Sequence, residues 1–338
     1  MTSVPQYEQA PGAGRALWMS TIAFTICFAV WTVFAIIGIR IKAELNLNET
    51  EFGLLVGTPV LTGSLVRMVL GVWTTRYGGR LVFTLTMLGS ALSTFLLAYA
   101  HTYTQMLVAA LGVGLAGGTF AVGVAYVSPF FPAGRQGTAL GIFGAGNVGA
   151  AVTKFLAPPV LLAFGWQAVA EIWAAGIALM AVVFWCTTGD DPSFAERRLH
   201  RAAPKSFVEE FAPLRDTRVW RFSLYYFFAF GAFVALSLWL PRYLINVYGF
   251  GLAAAGMLAA FYSIPGSLFR AYGGYLSDRI GARTVMYWVL GVAAVATAIL
   301  SIPGSIGPVP FLVVIFVLGF FMSPVSYTHL TLPTILRV

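Results

Sequence analysis

Ten apolar runs determine what this chain can fold into, because most of them are long enough to cross a bilayer as a helix. A spanning helix needs about 20 apolar residues. Charged residues make up 9% of the chain, whereas about 25% is usual in a soluble domain. The sequence therefore predicts an all-α membrane protein with about ten transmembrane helices. The predicted spans are roughly residues 16–39, 53–75, 81–100, 105–130, 137–163, 167–187, 219–240, 251–275, 284–302 and 308–324.

A polar, charged segment separates the sixth run from the seventh and divides the chain into two predicted bundles. The last residues lack both a helical pattern and an apolar span. We expect them to be a non-native tail, and a short genuine tail is the alternative. The expected organisation is an N-terminal segment 1–15, a six-helix bundle 16–187, a cytoplasmic linker 188–218, a partial C-terminal bundle of four helices 219–324, and the tail 325–338.

The Lys and Arg residues indicate which way the helices cross the membrane. Most of them fall in the N-terminal segment, the linker and the loops on that side, and few fall in the opposite loops. Positive charge concentrates in cytoplasmic loops, so the N-terminus is predicted to be cytoplasmic. The same bias accounts for the net charge of +8, and no nucleic-acid partner is expected.

An internal repeat relates the two halves. Residues 63–80 read GSLVRMVLGVWTTRYGGR and align without gaps with residues 266–283, which read GSLFRAYGGYLSDRIGAR. Two parallel halves related by an axis along the membrane normal produce such a pattern. The second copy enters a loop of pattern G-x-x-x-D-R-x-G-x-R, whereas Thr75 replaces the aspartate in the first. The predicted gating-loop residues are Gly71, Arg76, Gly78, Arg80, Gly274, Asp278, Arg279, Gly281 and Arg283.

Each copy of the repeat carries an arginine inside a predicted span, Arg67 in the first and Arg270 in the second. A charge near the bilayer centre costs roughly 2.5–3.5 kcal/mol, so such residues usually face a cavity or a partner. No Asp or Glu lies in the middle of a predicted span. A mobile oxyanion is then the natural counter-charge, since a guanidinium binds oxyanions through two parallel hydrogen bonds. The alternative is that these side chains snorkel or bond to backbone carbonyls.

Two polar residues of the fifth run, Asn147 and Lys154, lie at i and i+7 on one helix face. Asn147 offers an amide donor, and Lys154 adds a third intramembrane cation nearer the outer end. Lys154 is predicted to serve the substrate path, with snorkelling to the outer interface as the alternative. The missing acid also favours exchange of one anion for another, because proton-coupled carriers commonly relay protons through an intramembrane carboxylate.

Three stretches resemble signatures of a known family. They read AGNVGAAVTKFLAPP at 145–159, FAVWTVF at 28–34 and RFSLYYFF at 221–228. With the loop motif and the paired arginines, they resemble the nitrate/nitrite porter family of the major facilitator superfamily over about residues 16–324. The resemblance implies the major facilitator fold, with two pseudo-symmetric helix bundles. Members of that family have twelve or more helices, so the C-terminal bundle is expected to be truncated here.

The resemblance also implies a binding site for a planar anion. In that family two helix arginines bind the anion, a fifth-helix asparagine lines the site, two aromatic rings sandwich the anion and a seventh-helix tyrosine donates to it. Ordinary packing is the alternative for each ring, since the chain contains 28 phenylalanines. The matching positions are, in that order, Arg67 and Arg270, Asn147, Phe120 and Phe230, and Tyr226.

The implied function is secondary transport of nitrate, nitrite or both across the inner membrane by alternating access, as nitrate/nitrite antiport or nitrate/proton symport. The alternatives are a major facilitator carrier for another small anion, such as a monocarboxylate or an organophosphate, and a transporter-like anion sensor. An enzyme is not expected, since the three histidines lie in loops or in the tail, and no metal or cofactor site is predicted. The chain is expected to work as a monomer in the lipid bilayer.

Overall fold

The computed structural model describes residues 10–200, 215–302 and 306–322, and its regular elements in these ranges are all helices. The N-terminal half contains α1 Ala13–Trp31, α2 Phe34–Glu44, α3 Glu49–Tyr77, α4 Gly79–Leu97, α5 Tyr103–Val113, α6 Leu115–Val127, α7 Gln136–Gly144, α8 Gly149–Thr187 and α9 Pro192–Leu199. The C-terminal half contains α10 Thr217–Tyr248, α11 Leu252–Leu268, α12 Arg270–Ile280, α13 Ala282–Leu300 and α14 Pro308–Met322. Short 3-10 turns lie at Ser128–Phe130, Ala133–Arg135 and Ala145–Val148.

The number and length of the helices fit a protein that crosses a membrane many times. Within the described ranges, eight helical segments are long and apolar enough to span a bilayer. One of them, Gln136–Thr187, has 52 residues and breaks at Gly165, where φ is 87°. The break falls between the predicted runs 137–163 and 167–187. Pro308–Met322 is a shorter apolar helix. The prediction of an all-α, multi-pass membrane protein is confirmed.

Polar caps fix where two of the spans begin. At the start of α3, Asn48 Oδ1 accepts from the Glu51 backbone N–H, and Glu51 Oε2 accepts from the Asn48 N–H, both at 2.9 Å. Thr102 and Gln105 form the same reciprocal pair at the start of α5. Because the first N–H groups of a helix have no partner within it, these capping boxes stabilise the ends of the two spans.

The repeat predicted from the sequence recurs in the backbone. Gly78 joins α3 to α4 with φ 86° and ψ 142°, and Gly281 joins α12 to α13 with φ 87° and ψ 137°. A positive φ combined with an extended ψ is essentially confined to glycine. Because successive spans alternate in direction, both turns lie at the same end of the bundle. We call this end the motif end and the opposite one the distal end.

Four of the predicted runs are interrupted along their length. Thr32 and Val33 separate α1 from α2, Gly114 separates α5 from α6, and Phe269 separates α11 from α12. In the fourth run, the turn Ala145–Val148 separates α7 from α8. Short 3-10 pieces within helices often mark functional positions. Irregular backbone at membrane depth is tolerated where it is buried in protein or lines a cavity, so these breaks point to the interior of the bundle as the functional region.

The two halves meet along the helix pairs α7 and α12, α8 and α11, and α2 and α10. Glycines at this interface allow close approach of the backbones. A Cβ atom on Gly141 would lie 3.2 Å from the Arg270 carbonyl oxygen, and one on Gly256 would lie 2.6 Å from the Lys154 carbonyl oxygen. Small residues commonly allow such contacts between membrane helices. The halves are therefore in direct backbone contact along this interface.

The short helix α9 packs against the motif turn of the N-terminal half. Asp191 accepts from the Phe194 N–H at 2.9 Å, as the cap of α9, and from the Gly79 N–H at 3.4 Å. Arg197 donates to the Thr75 carbonyl oxygen at 2.8 Å. Asp191 is 3% exposed, and this burial raises the pKa of its carboxyl group. The beginning of the predicted linker thus binds the turn between α3 and α4. Just before this turn, the first copy of the loop motif has Thr75 in place of the aspartate.

The remaining part of the predicted linker, residues 201–214, lies outside the described residues, as does the predicted tail 325–338. The organisation into two bundles, a linker and a non-native tail therefore stays a prediction.

Candidate anion-binding site

Arg67 lies within α3 and reaches a cluster of aromatic rings. Its Nε donates to the Gly117 carbonyl oxygen at 3.1 Å. The guanidinium carbon lies 5.5 Å from the centroid of the Trp31 ring, 5.6 Å from that of Phe120 and 5.2 Å from that of Phe230. Ring faces attract a cation electrostatically. The rings therefore hold the guanidinium in place without neutralising its charge.

Arg270 is the first residue of α12, directly after the break at Phe269, rather than inside one continuous helix as predicted. Its Nε donates to the Gly266 carbonyl oxygen at 2.9 Å. Its guanidinium carbon lies 4.8 Å from the Phe233 centroid and 5.6 Å from the Phe230 centroid. The side chain is 1% exposed, and its Nη1 has no hydrogen-bond partner among the described residues. Because a buried donor without a partner is costly, this atom marks a place for an acceptor.

Phe230 connects the two arginines, since both guanidinium groups contact its ring. It stacks on Tyr226 with centroids 5.0 Å apart and planes 14° apart, and on Phe120 at 6.2 Å and 20°. Tyr226 is also close enough to interact electrostatically with Arg67 and Arg270. The structure thus brings both predicted arginines, both predicted rings and the predicted tyrosine into one cluster.

A cavity of about 1220 Å³ opens between α3, α6 and α10. Arg270 lies outside its wall, because the side chain is buried against Phe230 and Phe233. Phe230 both lines the cavity and contacts the Arg270 guanidinium. The site residues that line the cavity are Trp31, Arg67, Phe120, Tyr226 and Phe230.

Asn147 is fully buried in the turn Ala145–Val148, which packs against α1 and α11. Its Nδ2 donates to the Gly144 carbonyl oxygen at 2.8 Å, and its Oδ1 has no partner among the described residues. A carboxamide carries two N–H donors. One N–H donor of Asn147 thus remains free of the bond to Gly144. The predicted contact with an anion would use this donor.

Lys154 is also fully buried, and its ammonium group donates to Ser263 Oγ in the other half. Ser263 Oγ lies 3.3 Å from Ser237 Oγ. The Lys154 side chain therefore ends inside the protein, at a hydroxyl group of the other half. In the part of the chain that the structure describes, no carboxylate forms an ion pair with Lys154.

Trp31 is a site residue that was not predicted from the sequence, although it lies in the stretch 28–34 that carries part of the resemblance. Its Nε1 donates to the Pro59 carbonyl oxygen at 2.8 Å. Its ring is nearly parallel to that of Phe230, with centroids 6.5 Å apart and planes 10° apart. Gly117 leaves room for it, because a Cβ there would overlap the indole. The sequence feature that could have identified Trp31 is its position in the stretch 28–34, which lies inside a predicted span and resembles the family signature.

The predicted gating-loop residues lie at the motif end, away from these rings. A Cβ on Gly71 would meet open space, and Arg76 lies in the last turn of α3. The surroundings of Gly274 and of the Asp278 side chain lie outside what the structure describes. The turn glycines are Gly78 and Gly281, and three arginines contact aromatic residues: Arg80 on Trp185, Arg279 on Tyr275 and Arg283 on Tyr287.

Among the described residues, no carboxylate forms an ion pair with Arg67 or Arg270. Three ion pairs lie at the distal end: Arg40 with Glu44, Lys42 with Glu49, and Arg242 with Glu49. The described residues also contain no cluster of side chains suited to a metal ion. The site is therefore a cationic space between flat rings, and its chemistry suits a small planar oxyanion.

Comparison with known proteins identifies the family. A family model described as Major Facilitator Superfamily matches residues 19–335. The probable nitrate/nitrite antiporter NarK1 of Thermus thermophilus is 42% identical over 308 residues, which cover 88% of this chain and 68% of that protein. This chain belongs to the nitrate/nitrite porter family of the major facilitator superfamily. Another relative of this porter is the probable nitrate/nitrite transporter NarK2 of Mycobacterium tuberculosis, 33% identical over 89% of this chain and 74% of that protein.

Solved structures share the fold of this porter. A bacterial homologue of the human lysosomal transporter Spinster, in an inward-facing and occupied conformation, matches with a TM-score of 0.67 and 19% identity, over 95% of this chain and 74% of that one. The human organic anion transporter MFSD10 matches with a TM-score of 0.71 and 15% identity, over 95% and 86% of the two chains. At these identities the likeness establishes the fold alone. The predicted major facilitator fold is confirmed.

Proposed function

We propose that this porter transports nitrate and nitrite across the inner membrane by alternating access. The proposal rests on one observation above all: Arg67 and Arg270 converge on the Phe230 ring, and no described carboxylate neutralises them. Relatives named as nitrate/nitrite antiporters and transporters support the choice of substrate. The N-terminus is cytoplasmic in this proposal, the porter works as a monomer, and it catalyses no chemical reaction.

The geometry of the rings suits a flat anion. Phe120 and Phe230 are inclined by 20° with centroids 6.2 Å apart, whereas two stacked contacts of about 3.5 Å each would need about 7 Å. A small displacement of Phe230 opens this gap and uncovers Arg270 at the same time. The oxygens of the anion then accept from both guanidinium groups, since planar forks match planar oxyanions. Tyr226 and Asn147 supply further donors.

Exchange of anions follows from the charge of the empty site. Two cations that lack a carboxylate are costly to enclose when the bundles close around them. Nitrate and nitrite carry the same charge, so each offsets this cost alike. The porter therefore changes its access with either anion bound and resists doing so while empty, which couples the entry of one anion to the exit of the other.

Uptake of labelled nitrate into proteoliposomes tests this function. We expect uptake to be severalfold faster into vesicles that contain nitrite than into vesicles without a permeant anion, at equal pH on both sides. An imposed pH gradient without internal nitrite should have little effect. Uptake driven by the pH gradient alone would contradict exchange and favour symport with a proton. Nitrate binding in detergent without any uptake would contradict transport and favour an anion sensor.

A further inference from the structure

A second polar layer lies two helical turns from the anion site, towards the distal end. The first layer consists of anion-site residues on three of the predicted runs. On each run, a residue of the second layer lies seven positions after or before the first-layer residue, according to the direction of the helix. Seven residues of helix correspond to about 10 Å. The pairs are Asn147 and Lys154 on the fifth run, Phe230 and Ser237 on α10, and Arg270 and Ser263 on α12 and α11.

The three residues of the second layer form one buried cluster. Lys154, Ser237 and Ser263 each have 0% exposure. The ammonium group donates to Ser263 Oγ, which lies 3.3 Å from Ser237 Oγ. No charged partner of Lys154 is present among the described residues. In this conformation its ammonium group thus donates to a neutral hydroxyl, that of Ser263.

The cluster also crosses the interface between the two halves. Lys154 belongs to α8 in the N-terminal half, and both serines belong to the C-terminal half. The neighbouring Thr153 behaves differently, because its Oγ1 donates to the Ala29 carbonyl oxygen at 2.7 Å and accepts from Trp173 Nε1 at 3.0 Å, all within the N-terminal half. Separation of the halves at the distal end would break the Lys154–Ser263 bond and leave the Thr153 bonds intact.

We propose that Lys154, Ser237 and Ser263 form the distal gate of this porter, and that the Lys154 ammonium binds the anion as it passes through the open gate. This inference rests on the proposed function, since it assumes that an anion moves between the two layers. A buried ammonium that loses its partner is strongly destabilised unless another group replaces that partner. The anion supplies the replacement, and the two hydroxyls offer further donors to its oxygens.

Thiol labelling tests both parts of the proposal. Lys154→Cys is placed in the full chain after Cys27→Ala and Cys186→Ser have removed the native thiols, and a membrane-impermeant cationic methanethiosulfonate is applied from either side of oriented vesicles. We expect labelling from the distal side, which the proposed orientation places outside. In Ser237→Cys, which keeps the Lys154 ammonium, we also expect nitrate to slow the labelling. The matched control is Thr153→Cys, one residue earlier on the same helix, which should not react from either side.

Each outcome of the labelling decides a part of the proposal. Failure of Lys154→Cys to react from the distal side in a protein that still transports would show that the cluster never opens, and would overturn the gate. Labelling of Ser237→Cys that nitrate does not slow would overturn the anion contact, because this variant keeps the Lys154 ammonium. Should Lys154→Cys fold poorly, Ser237→Cys gives the same test from the opposite half. Labelling without nitrate tests the gate even if the proposed substrate is wrong, and nitrate binding by the unmodified protein tests that substrate separately.

Turnover gives a second readout of Lys154. We expect Lys154→Met to lower the maximal uptake rate by about tenfold, the equivalent of one charge-assisted hydrogen bond. The affinity for nitrate at the site of Arg67 and Arg270 should stay nearly unchanged. Lys154→Arg should recover part of the rate because it keeps the charge. Equal losses in the arginine and methionine variants would indicate a packing role and contradict the proposal.

Discussion

Replacing Arg270 by methionine is expected to remove most of the nitrate affinity of this porter while the protein stays folded. The guanidinium is 1% exposed, makes one bond to the Gly266 carbonyl oxygen, and leaves Nη1 without a described partner. A hydrogen bond to a charged group contributes roughly 1.5–3 kcal/mol, so Kd should rise at least about tenfold. Methionine retains the apolar stem that packs on Phe233 and Phe230.

The companion variants separate charge from geometry. Arg67→Met should weaken nitrate binding similarly, and Arg270→Lys should recover little of it, because a lysine keeps the charge and loses the planar fork. Arg40→Met is the matched control, since Arg40 is exposed and pairs with Glu44 on its own helix. Isothermal titration with nitrate in detergent measures the four variants and the wild type. Wild-type affinity in both Arg67→Met and Arg270→Met would contradict the site.

Replacing Gly149 by alanine is expected to destabilise the fold strongly, although it adds only one methyl group. A Cβ at this position would overlap the Thr25 carbonyl oxygen and lie 2.7 Å from the Ala29 nitrogen. Both neighbours are backbone atoms of α1, so no side-chain rotation can relieve the contact. Overpacking costs about 1–3 kcal/mol where neighbours can adjust, and we expect at least that at Gly149.

Thermal unfolding followed by intrinsic fluorescence measures this effect. The Tm of Gly149→Ala should fall by roughly 5 °C or more, with loss of monodisperse protein on size exclusion. Gly176→Ala is the control on the same helix, because a Cβ there would meet nothing within 4 Å. Its Tm should stay level or rise slightly, since alanine favours helix over glycine. Equal Tm values for the two variants would show that α1 and α8 do not approach as closely as the structure places them.

Much of the fold could be predicted from the sequence, because lipid leaves few options to a spanning chain. Apolar runs and loop charges are visible in the sequence itself. Backbone N–H and C=O groups without a hydrogen-bond partner are not tolerated in hydrocarbon, so a long apolar run that crosses the membrane favours a helix. The arginines could be identified for the same reason: Arg67 and Arg270 are conspicuous charges in spans that lack an acid. Both contact Phe230 in the structure, and their role in binding an anion stays a prediction.

The details of the site could not be predicted, because they depend on contacts between distant parts of the chain. No local signal gave the break at Phe269, which places Arg270 at the start of a helix. The burial of Arg270 against Phe230 and Phe233 depends on how α10 packs on α11. The bond from Lys154 to Ser263 joins residues of opposite halves, and spacing along one helix carries no information about it.

Displacement of labelled nitrate from the purified porter by unlabelled anions tests the nitrate/nitrite site most directly. We predict that nitrite competes effectively, since it is small, planar and singly charged and fits between Phe120 and Phe230 beside the two arginines. Oxalate and phosphate should not compete at millimolar concentration, because their bulk exceeds what the narrow gap between the two rings accepts. Displacement by phosphate or oxalate as readily as by nitrite would contradict a nitrate/nitrite site and identify a carrier of larger anions.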